Sequence, residues 1–251
     1  MNDIPLGRLI GRGAQADVYL HDGQVIKLFH EGAFQESALS EADIQQKVYL
    51  AGLPAPRVYN VATISGRPAI AMEHFNGPTL GSLMMNDPAR AMEYLTQTVE
   101  MQLQTHRVSG GGLPSQKEKL HYRIASVAAL KEDTKKKLLA LLDTLAHDGA
   151  VCHGDFHPFN LIKTEQGLKI IDWADASCGT PAADACRSYL LYLLHGKEAA
   201  EGYLQLYCAM AKTHAEDVLK WMPVIAGARM RETGLGDDES LLLRLAEGSA
   251  Q

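Results

Sequence analysis

Between Val151 and Asp175 the chain gathers side chains suited to moving a phosphoryl group. The run Val151-Cys152-His153-Gly154-Asp155-Phe156-His157-Pro158-Phe159-Asn160-Leu161-Ile162 is followed shortly by Lys169-Ile170-Ile171-Asp172-Trp173-Ala174-Asp175. Transfer from a nucleotide asks little covalent chemistry of a protein. It needs a group that orients the attacking hydroxyl, oxygen ligands for Mg²⁺, and cations or backbone amides on the phosphates. Asp155 and Asn160 share one loop, and Asp172 ends an expected strand. Asn160 and Asp172 are hard oxygen donors of the kind Mg²⁺ takes, and Asp155 remains to accept a hydroxyl proton. An isolated His-Gly-Asp is common and carries little by itself. His153 and His157 have the spacing of a helical metal pair, but Gly154 and Pro158 make the segment a loop. Asp175 reads as a structural or helix-capping residue rather than a ligand.

A second group of candidates lies near the N-terminus. Gly11-Arg12-Gly13-Ala14-Gln15-Ala16 falls between two expected strands, although such a pattern alone often serves only as a hairpin turn. Lys27 sits inside the third strand, and a buried lysine needs an anionic partner. Glu41 on the following helix shares a face with Ile44 and Val48 and is expected to point inward. Glu36 is the second candidate, near the helix start, where an acidic residue is favoured by the macrodipole in any case.

Taken jointly, His153-Gly154-Asp155-x-His157-x-x-Asn160 and Ile171-Asp172-Trp173-x-Asp175 resemble the signature of the aminoglycoside phosphotransferase/choline kinase-like family. That family is a distant branch of the protein-kinase fold. The resemblance implies that Asp155 is the catalytic base, that Asn160 and Asp172 hold Mg²⁺, and that His153 and His157 buttress the loop. It implies that Gly11, Gly13 and Ala16 cover the nucleotide phosphates, Ala16 standing in place of the third glycine, and that Lys27, paired with Glu41, reaches the α/β-phosphates. The stretch Ala71-Met72-Glu73-His74-Phe75-Asn76-Gly77-Pro78-Thr79-Leu80 resembles the family's hinge. Backbone groups near Glu73 and Phe75 would hydrogen-bond the purine there. Met72 either lines the base pocket or is an ordinary core methionine. Leu103-Gln104-Thr105-His106 resembles a helix end of the family, with His106 a packed residue, and Asp184 matches an aspartate that ties the following helix to the catalytic loop. Arg187 either pairs with a carboxylate or is exposed and inert. The loop begins His-Gly-Asp where protein kinases carry His-Arg-Asp, and no Ala-Pro-Glu element follows, so a small molecule is the expected acceptor rather than a protein.

These residues need a scaffold, and the patterning supplies an α+β one. Leu9–Ile10, Val18–Leu20 and Val25–Phe29 are β-rich, with His21-Asp22-Gly23-Gln24 a hairpin signal. A helix is expected from Phe34 to Ala51, then strands at Val58–Ile64 and Ala69–His74 joined at Ser65-Gly66-Arg67. Beyond Phe75-Asn76-Gly77-Pro78 the chain reads as helical (Ala89–Arg107, Lys117–Leu130, Thr134–Ala146), with a flexible break at Ser109–Pro114. A β-rich island spans Val151–Trp173, and helices resume at Pro181. The expectation is a two-lobed protein-kinase-like fold, with a nucleotide-binding lobe over 1–74, a helical catalytic lobe over 75–251, and a hinge about 73–78.

Bulk properties narrow the class. The 251 residues are 46% hydrophobic and 22% charged, with a formal charge of −6, as in an ordinary globular protein that does not bind nucleic acid. Four cysteines, none in a Cys-x-x-Cys pair, exclude a zinc ribbon and a disulfide framework. The opening residues do not read as a secretory signal, and no apolar run reaches membrane-spanning length. The expected protein is therefore cytoplasmic and a monomer or weak homodimer. Its expected partners are Mg²⁺, ATP or GTP, and a small-molecule acceptor. The alternative is a nucleotide-binding regulator or pseudokinase. For the acceptor, Asp237-Asp238-Glu239 could hold a cation or simply start a helix, the Lys135-Lys136-Lys137 run reads as a solvated face, and Trp221 and Tyr203 could stack on a ligand or pack in the core.

Overall fold

The computed structural model describes residues 6–232 and 238–248. In chain order the elements are β1 (Arg8–Arg12), β2 (Ala16–His21), β3 (Gln24–Phe29), α1 (Gln35–Leu50), β4 (Val58–Ile64), β5 (Arg67–Glu73), α2 (Leu80–Asn86), α3 (Ala91–His106), α4 (Gln116–Ser126), α5 (Glu132–Thr144), β6 (Ala150–Cys152), β7 (Leu161–Thr164), β8 (Gly167–Ile170), β9 (Ser177–Gly179), α6 (Pro181–Leu193), α7 (Lys197–Ala211), α8 (Ala215–Leu219), α9 (Met222–Arg229) and α10 (Glu239–Ala246). Short 3₁₀ turns cover Pro158–Asn160, Trp173–Asp175 and Met230–Glu232.

Two compact units result. The first comprises the chain up to Ser82 together with Phe159–Ala174, and the second comprises Leu83–Pro158 and everything from Asp175 onward. Compactness thus groups the 159–174 stretch with the N-terminal sheet, whereas the expected boundary was drawn once along the chain.

In the first unit β1 to β5 form an antiparallel sheet in the order β1-β2-β3-β5-β4. Two of its hairpins are set by local chemistry. Asp22 and Gly23 both take positive φ (47° and 75°), as do Ser65 and Gly66 (49° and 79°); that pair of left-handed residues is what a two-residue turn matching strand twist requires. One face of the sheet, through Phe29, Ile70 and Met72, packs on Ala38 and Ala42 of α1. The β7–β8 hairpin belongs to this unit and is stitched to it by backbone bonds. The Ile170 N–H donates to the Pro54 carbonyl and the Lys163 N–H to the Pro78 carbonyl, each at 2.9 Å.

The second unit is built around an apolar core from α3 to α10 that includes Leu142, Leu190, Tyr203 and Trp221. Tyr203 and Trp221 are wholly buried, so they pack and do not stack on a ligand. The expected flexible break is instead pinned. The Gly110 N–H donates to the Gly149 carbonyl at 2.8 Å, and Ser109 and Ser115 bridge to Ala150 and Cys178. Gly110 permits this, because a Cβ there would lie 2.7 Å from the Ala150 carbonyl oxygen. Two short elements, α2 and β9, carry no periodic signal in the sequence and were not anticipated. Asp238 caps α10 by accepting from the Leu241 N–H at 3.0 Å. The acidic group therefore begins a helix at Asp238 and Glu239, and Asp237 lies outside the described residues.

The connection after β5 passes very close to β7. A Cβ on Gly77, whose φ is 157°, would stand 2.0 Å from the Lys163 carbonyl oxygen, a backbone atom, while the nearest atoms to one on Gly81 belong to the Phe159 side chain. Gly77→Ala is therefore expected to cost about 1–3 kcal/mol through backbone displacement. That should appear as a melting temperature lowered by roughly 2–4 °C per kcal/mol, whereas Gly81→Ala should shift it less.

Candidate active site

In the first unit the sheet delivers Lys27 and the helix delivers its partner. Lys27 lies in the middle of β3, flanked by β2 and β5 at Val18 and Ile70, where its position cannot slip. Glu41 is buried on the inward face of α1. The Lys27 Nζ donates to Glu41 Oε1 at 2.5 Å and to Asp172 Oδ1 at 3.4 Å. Burial depresses the Lys27 ammonium, but the Asp172 and Glu41 carboxylates outweigh it and hold the pKa above the ordinary lysine value. Lys27 is therefore a fixed cation. Glu36 is exposed in the first turn of α1.

Asn160 and Asp172 come together through the β7–β8 hairpin. Leu161 pairs with Ile170, and the Ile171 N–H donates to the Asn160 carbonyl at 2.9 Å, so the two residues flank one end of the hairpin. Asp172 adopts a left-handed backbone with φ 63°, a region rarely occupied by residues other than glycine and asparagine-like side chains. The turn begun there continues into Trp173, whose indole N–H returns to the Ile170 carbonyl at 3.0 Å. Asn160 is buried, and the Asp172 carboxylate is about half exposed.

The glycine-bearing turn closes tightly between β1 and β2, with the Gly13 N–H donating to the Ala16 carbonyl at 2.8 Å. Gly11 lies at an irregularity in the β1–β2 pairing, and Ala16 is buried beneath the turn. At the end of β5, Met72 is in the core and its Sδ accepts from Gln45. The Glu73 N–H is taken by the Arg57 carbonyl at 2.9 Å, and its carboxylate accepts from the Arg57 N–H at 3.2 Å. Phe75 packs under Lys169, whose Nζ stands 5.4 Å from the ring centre.

In the second unit β6 runs directly into His153-Gly154-Asp155. Cys152 pairs with Ser177 of β9, which brings Gly154 beside Asp175. Gly154 has φ 82°, and a Cβ on it would lie 2.7 Å from the Asp175 carbonyl oxygen, so both conformation and space require glycine. The loop is gripped from behind by Asp184 near the start of α6. Asp184 Oδ1 accepts the Gly154 N–H at 2.7 Å, while Oδ2 accepts from Gln102 at 3.3 Å and meets His106 Nε2 at 2.9 Å. Asp184 thus ties α6 to the loop, as the resemblance implied, and His106 is a packed residue hydrogen-bonded to it.

Asp155 itself faces His157, with Nε2 and Oδ2 separated by 3.3 Å, and its backbone N–H donates to His153 Nδ1 at 3.2 Å. Burial pushes the Asp155 carboxyl up, but the hydrogen bond and charge of His157, with Arg187 beyond, hold it well below the usual carboxylate range. The group is therefore ionised at neutral pH.

A cluster that sequence reasoning missed surrounds Asp175. The Arg123 guanidinium donates to Asp175 Oδ1 at 2.6 Å and to Glu232 Oε1 at 2.8 Å. Lys119 Nζ donates to the Asp175 carbonyl at 2.7 Å. Arg187 is buried, donating to the Gly154 carbonyl at 3.1 Å and to Glu232 at 2.8 Å, and Arg229 also donates to Glu232. Lys119, Arg123 and Glu232 read as ordinary helix charges in isolation, whereas for Arg187 pairing with a carboxylate was one of two expectations, and it is the one found. The available signal was Arg229, set inside the apolar run Met222–Met230.

Against the upward push of burial, Asp155, Asp175 and Asp184 are all held below the ordinary carboxylate value by their partners. Such groups contribute stability that is present above the unfolded pKa, about 3.9, and lost as pH falls through the folded value. The melting temperature should therefore be nearly flat from about pH 8 to 5 and fall below about pH 4. Asp184→Ala, which strands the Gly154 N–H and His106, should lower it at neutral pH by an amount equivalent to about 3–5 kcal/mol.

Solved structures share this architecture. A thermostable mutant of aminoglycoside phosphotransferase APH(4)-Ia, in a ternary complex with ADP and hygromycin B, superposes with a TM-score of 0.70 at 14% identity, covering 96% of this chain and 92% of that one. Choline kinase LicA from Streptococcus pneumoniae gives 0.65 at 16% identity, covering 98% and 93%. Aminoglycoside-3'-phosphotransferase of type VIII gives 0.62 at 18% identity, covering 91% and 94%. At these identities the likeness is one of fold, and it is the expected kinase-like α+β fold. No curated protein sequence matches the chain. The profile of the phosphotransferase enzyme family, however, matches residues 7–220, and the chain belongs to that family.

Proposed function

We propose that the protein is a small-molecule kinase, transferring the γ-phosphoryl group of ATP or GTP to an acceptor hydroxyl. The observation that carries this reading is the Lys27–Glu41–Asp172 arrangement, a partly buried cation held between two carboxylates at 2.5 and 3.4 Å. A lysine so placed needs no second carboxylate for folding, and the half-exposed Asp172 is positioned to serve something else. The related structures solved with ADP and with AMP support nucleotide as that ligand.

In this reading Lys27 binds the α/β-phosphates, the turn bearing Gly11, Gly13 and Ala16 covers them, and backbone groups about Met72, Glu73 and Phe75 meet the base. The Glu73 N–H is already engaged by Arg57, so base recognition falls to its neighbours. Asn160 and Asp172 would hold Mg²⁺. The donor set fits: one carboxylate and one amide oxygen at the end of a rigid hairpin leave the remaining positions for water and phosphate oxygens, as Mg²⁺ prefers over an all-protein cage. Bound there, the ion would neutralise charge on the transferred phosphoryl group.

Asp155 orients the acceptor hydroxyl. Its oxygen forms the new bond to the γ-phosphorus as the bond to the bridging oxygen breaks. The electron pair leaves with the nucleoside diphosphate, and the hydroxyl proton passes to the Asp155 carboxylate. A weakly basic carboxylate suffices, because in a loose transition state the proton moves late and positioning dominates. A regulator that only bound nucleotide would have no use for Asp155, which favours turnover over binding alone.

Mg²⁺ with ATP or GTP should raise the melting temperature of the wild-type protein; no shift with either nucleotide would refute the proposal. Asp155→Ala should retain that shift while lowering turnover by roughly 10²–10⁴-fold, measured as acceptor-dependent nucleotide consumption. Lys27→Ala should instead shrink the nucleotide-induced shift itself.

A further inference from the structure

The peptide plane that leads into Asp155 is held at both ends. Its carbonyl, on Gly154, accepts from Arg187 Nε at 3.1 Å, and its N–H, on Asp155, donates to His153 Nδ1 at 3.2 Å. The plane before it is gripped by Asp184, which accepts the Gly154 N–H at 2.7 Å. A peptide turns as a rigid plate, and turning the plate before a residue redirects its Cα–Cβ bond. These contacts therefore set where the Asp155 carboxylate points. Asp184 and Arg187 lie three positions apart on α6, a spacing that places them side by side on one helix face.

Arg187 is a costly residue to place there. It is 6% exposed, and its second bond goes to another segment, from a terminal nitrogen to Glu232 at 2.8 Å in the 3₁₀ turn after α9. Glu232 also accepts from Arg123 of α4 and Arg229 of α9, so three helices meet at one carboxylate. Arg123 continues to Asp175, whose backbone carbonyl lies against Gly154. A buried ion pair adds little stability over an apolar replacement of similar volume, so stability alone does not account for an arginine here. What the guanidinium supplies is direction: its planar fork holds two acceptors at fixed angles, which a single ammonium does not. Against the upward push of burial, its charge also joins that of His157 in holding the Asp155 carboxyl low.

We propose that Arg187 is a positioning residue for phosphoryl transfer, and that Glu232 is the anchor that keeps it aimed at the Gly154 carbonyl. This role rests on the kinase reading above and adds to it a relay from the turn after α9 to the loop of the catalytic base. Both residues act through the loop backbone of the second unit, while the lysine and glycine turn assigned to the nucleotide belong to the first. Their loss should slow turnover without weakening nucleotide binding.

The whole chain is assayed for Mg²⁺-dependent ATP hydrolysis, water standing in for the acceptor, with D155A as the reference for a lost base. R187M, R187K and E232Q are compared with it for kcat, KM of ATP, the ADP-induced rise in melting temperature, and hydrogen exchange over 153–157 followed by mass spectrometry. R187M should lower kcat roughly 10–100-fold with KM of ATP unchanged. It should keep the ADP-induced shift and exchange roughly tenfold faster over 153–157. R187K, which keeps the charge, should melt higher than R187M but not regain kcat, whereas a role in stability alone predicts that it regains both. E232Q should lower kcat in the same sense and by less; an unchanged kcat there removes Glu232 as the anchor. If D155A is slow while R187M and R187K turn over at the wild-type rate, or raise KM of ATP with kcat unchanged, the positioning role falls and the kinase reading stands. If wild-type hydrolysis is no faster than that of D155A, exchange decides: faster exchange in R187K upholds the clamp and unchanged exchange overturns it. Should R187M not fold, R187K and E232Q carry the comparison. If neither ADP nor ATP shifts the melting temperature, the kinase reading falls and the positioning role with it.

Discussion

A single buried carboxylate organises the second unit. Asp184 has no access to solvent, and an ionised group so placed is tolerable only if hydrogen bonds replace the water it has lost. Its oxygens receive the Gly154 N–H, the Gln102 amide and the His106 ring. Gln102 in turn bonds Ser188 and Tyr203, and Ser188 bonds the Phe156 carbonyl. The loop carrying Asp155 is therefore held at Gly154 and again at Phe156, from α3 and α6. A side chain can be no better placed than the backbone beneath it, and here that backbone is fixed on both sides of Asp155.

The first unit solves a different problem, keeping a lysine charged within a sheet. Glu41 supplies the close partner from α1, and Asp172 the second from the end of the β7–β8 hairpin. Asp172 reaches that point through a left-handed backbone, a conformation of higher energy that persists because the bonds of Ile171 to Asn160 and of Trp173 to Ile170 over-determine it.

Local chemistry was legible from residue types. Asp22-Gly23 and Ser65-Gly66 announce their turns, the inward face of α1 selects Glu41 over Glu36, and Gly154 marks a loop where a helical reading of His153 and His157 would otherwise compete. What stayed hidden depends on separation along the chain. Lys119, Arg123, Arg187, Arg229 and Glu232 are scattered over more than a hundred positions, and Lys119, Arg123 and Glu232 each resemble a solvated helix charge until the helices pack. The glycines at 110–112 suggested a flexible break for the same reason. Composition shows that glycine tolerates unusual backbone, but only the approach of Ala150 shows that close packing is its purpose here. Tyr203 and Trp221 were ambiguous because an aromatic side chain serves a core and a binding surface equally well.

The interleaving of the two units along the chain bears on how the protein is made. A ribosome releases the five-stranded sheet and α1 early, but the β7–β8 hairpin that completes that unit comes only after Leu83–Pro158 has been synthesised. Until Ala174 emerges, Lys27 has Glu41 alone for company, and the Pro54 and Pro78 carbonyls lack the amide donors that later close on them. The nascent N-terminal unit therefore lacks that hairpin while all of α3 to α5 is added. A fragment ending at Ser82 would carry Lys27 and Glu41 but none of the hairpin contacts that the later segment brings to Pro54, Pro78 and Lys27.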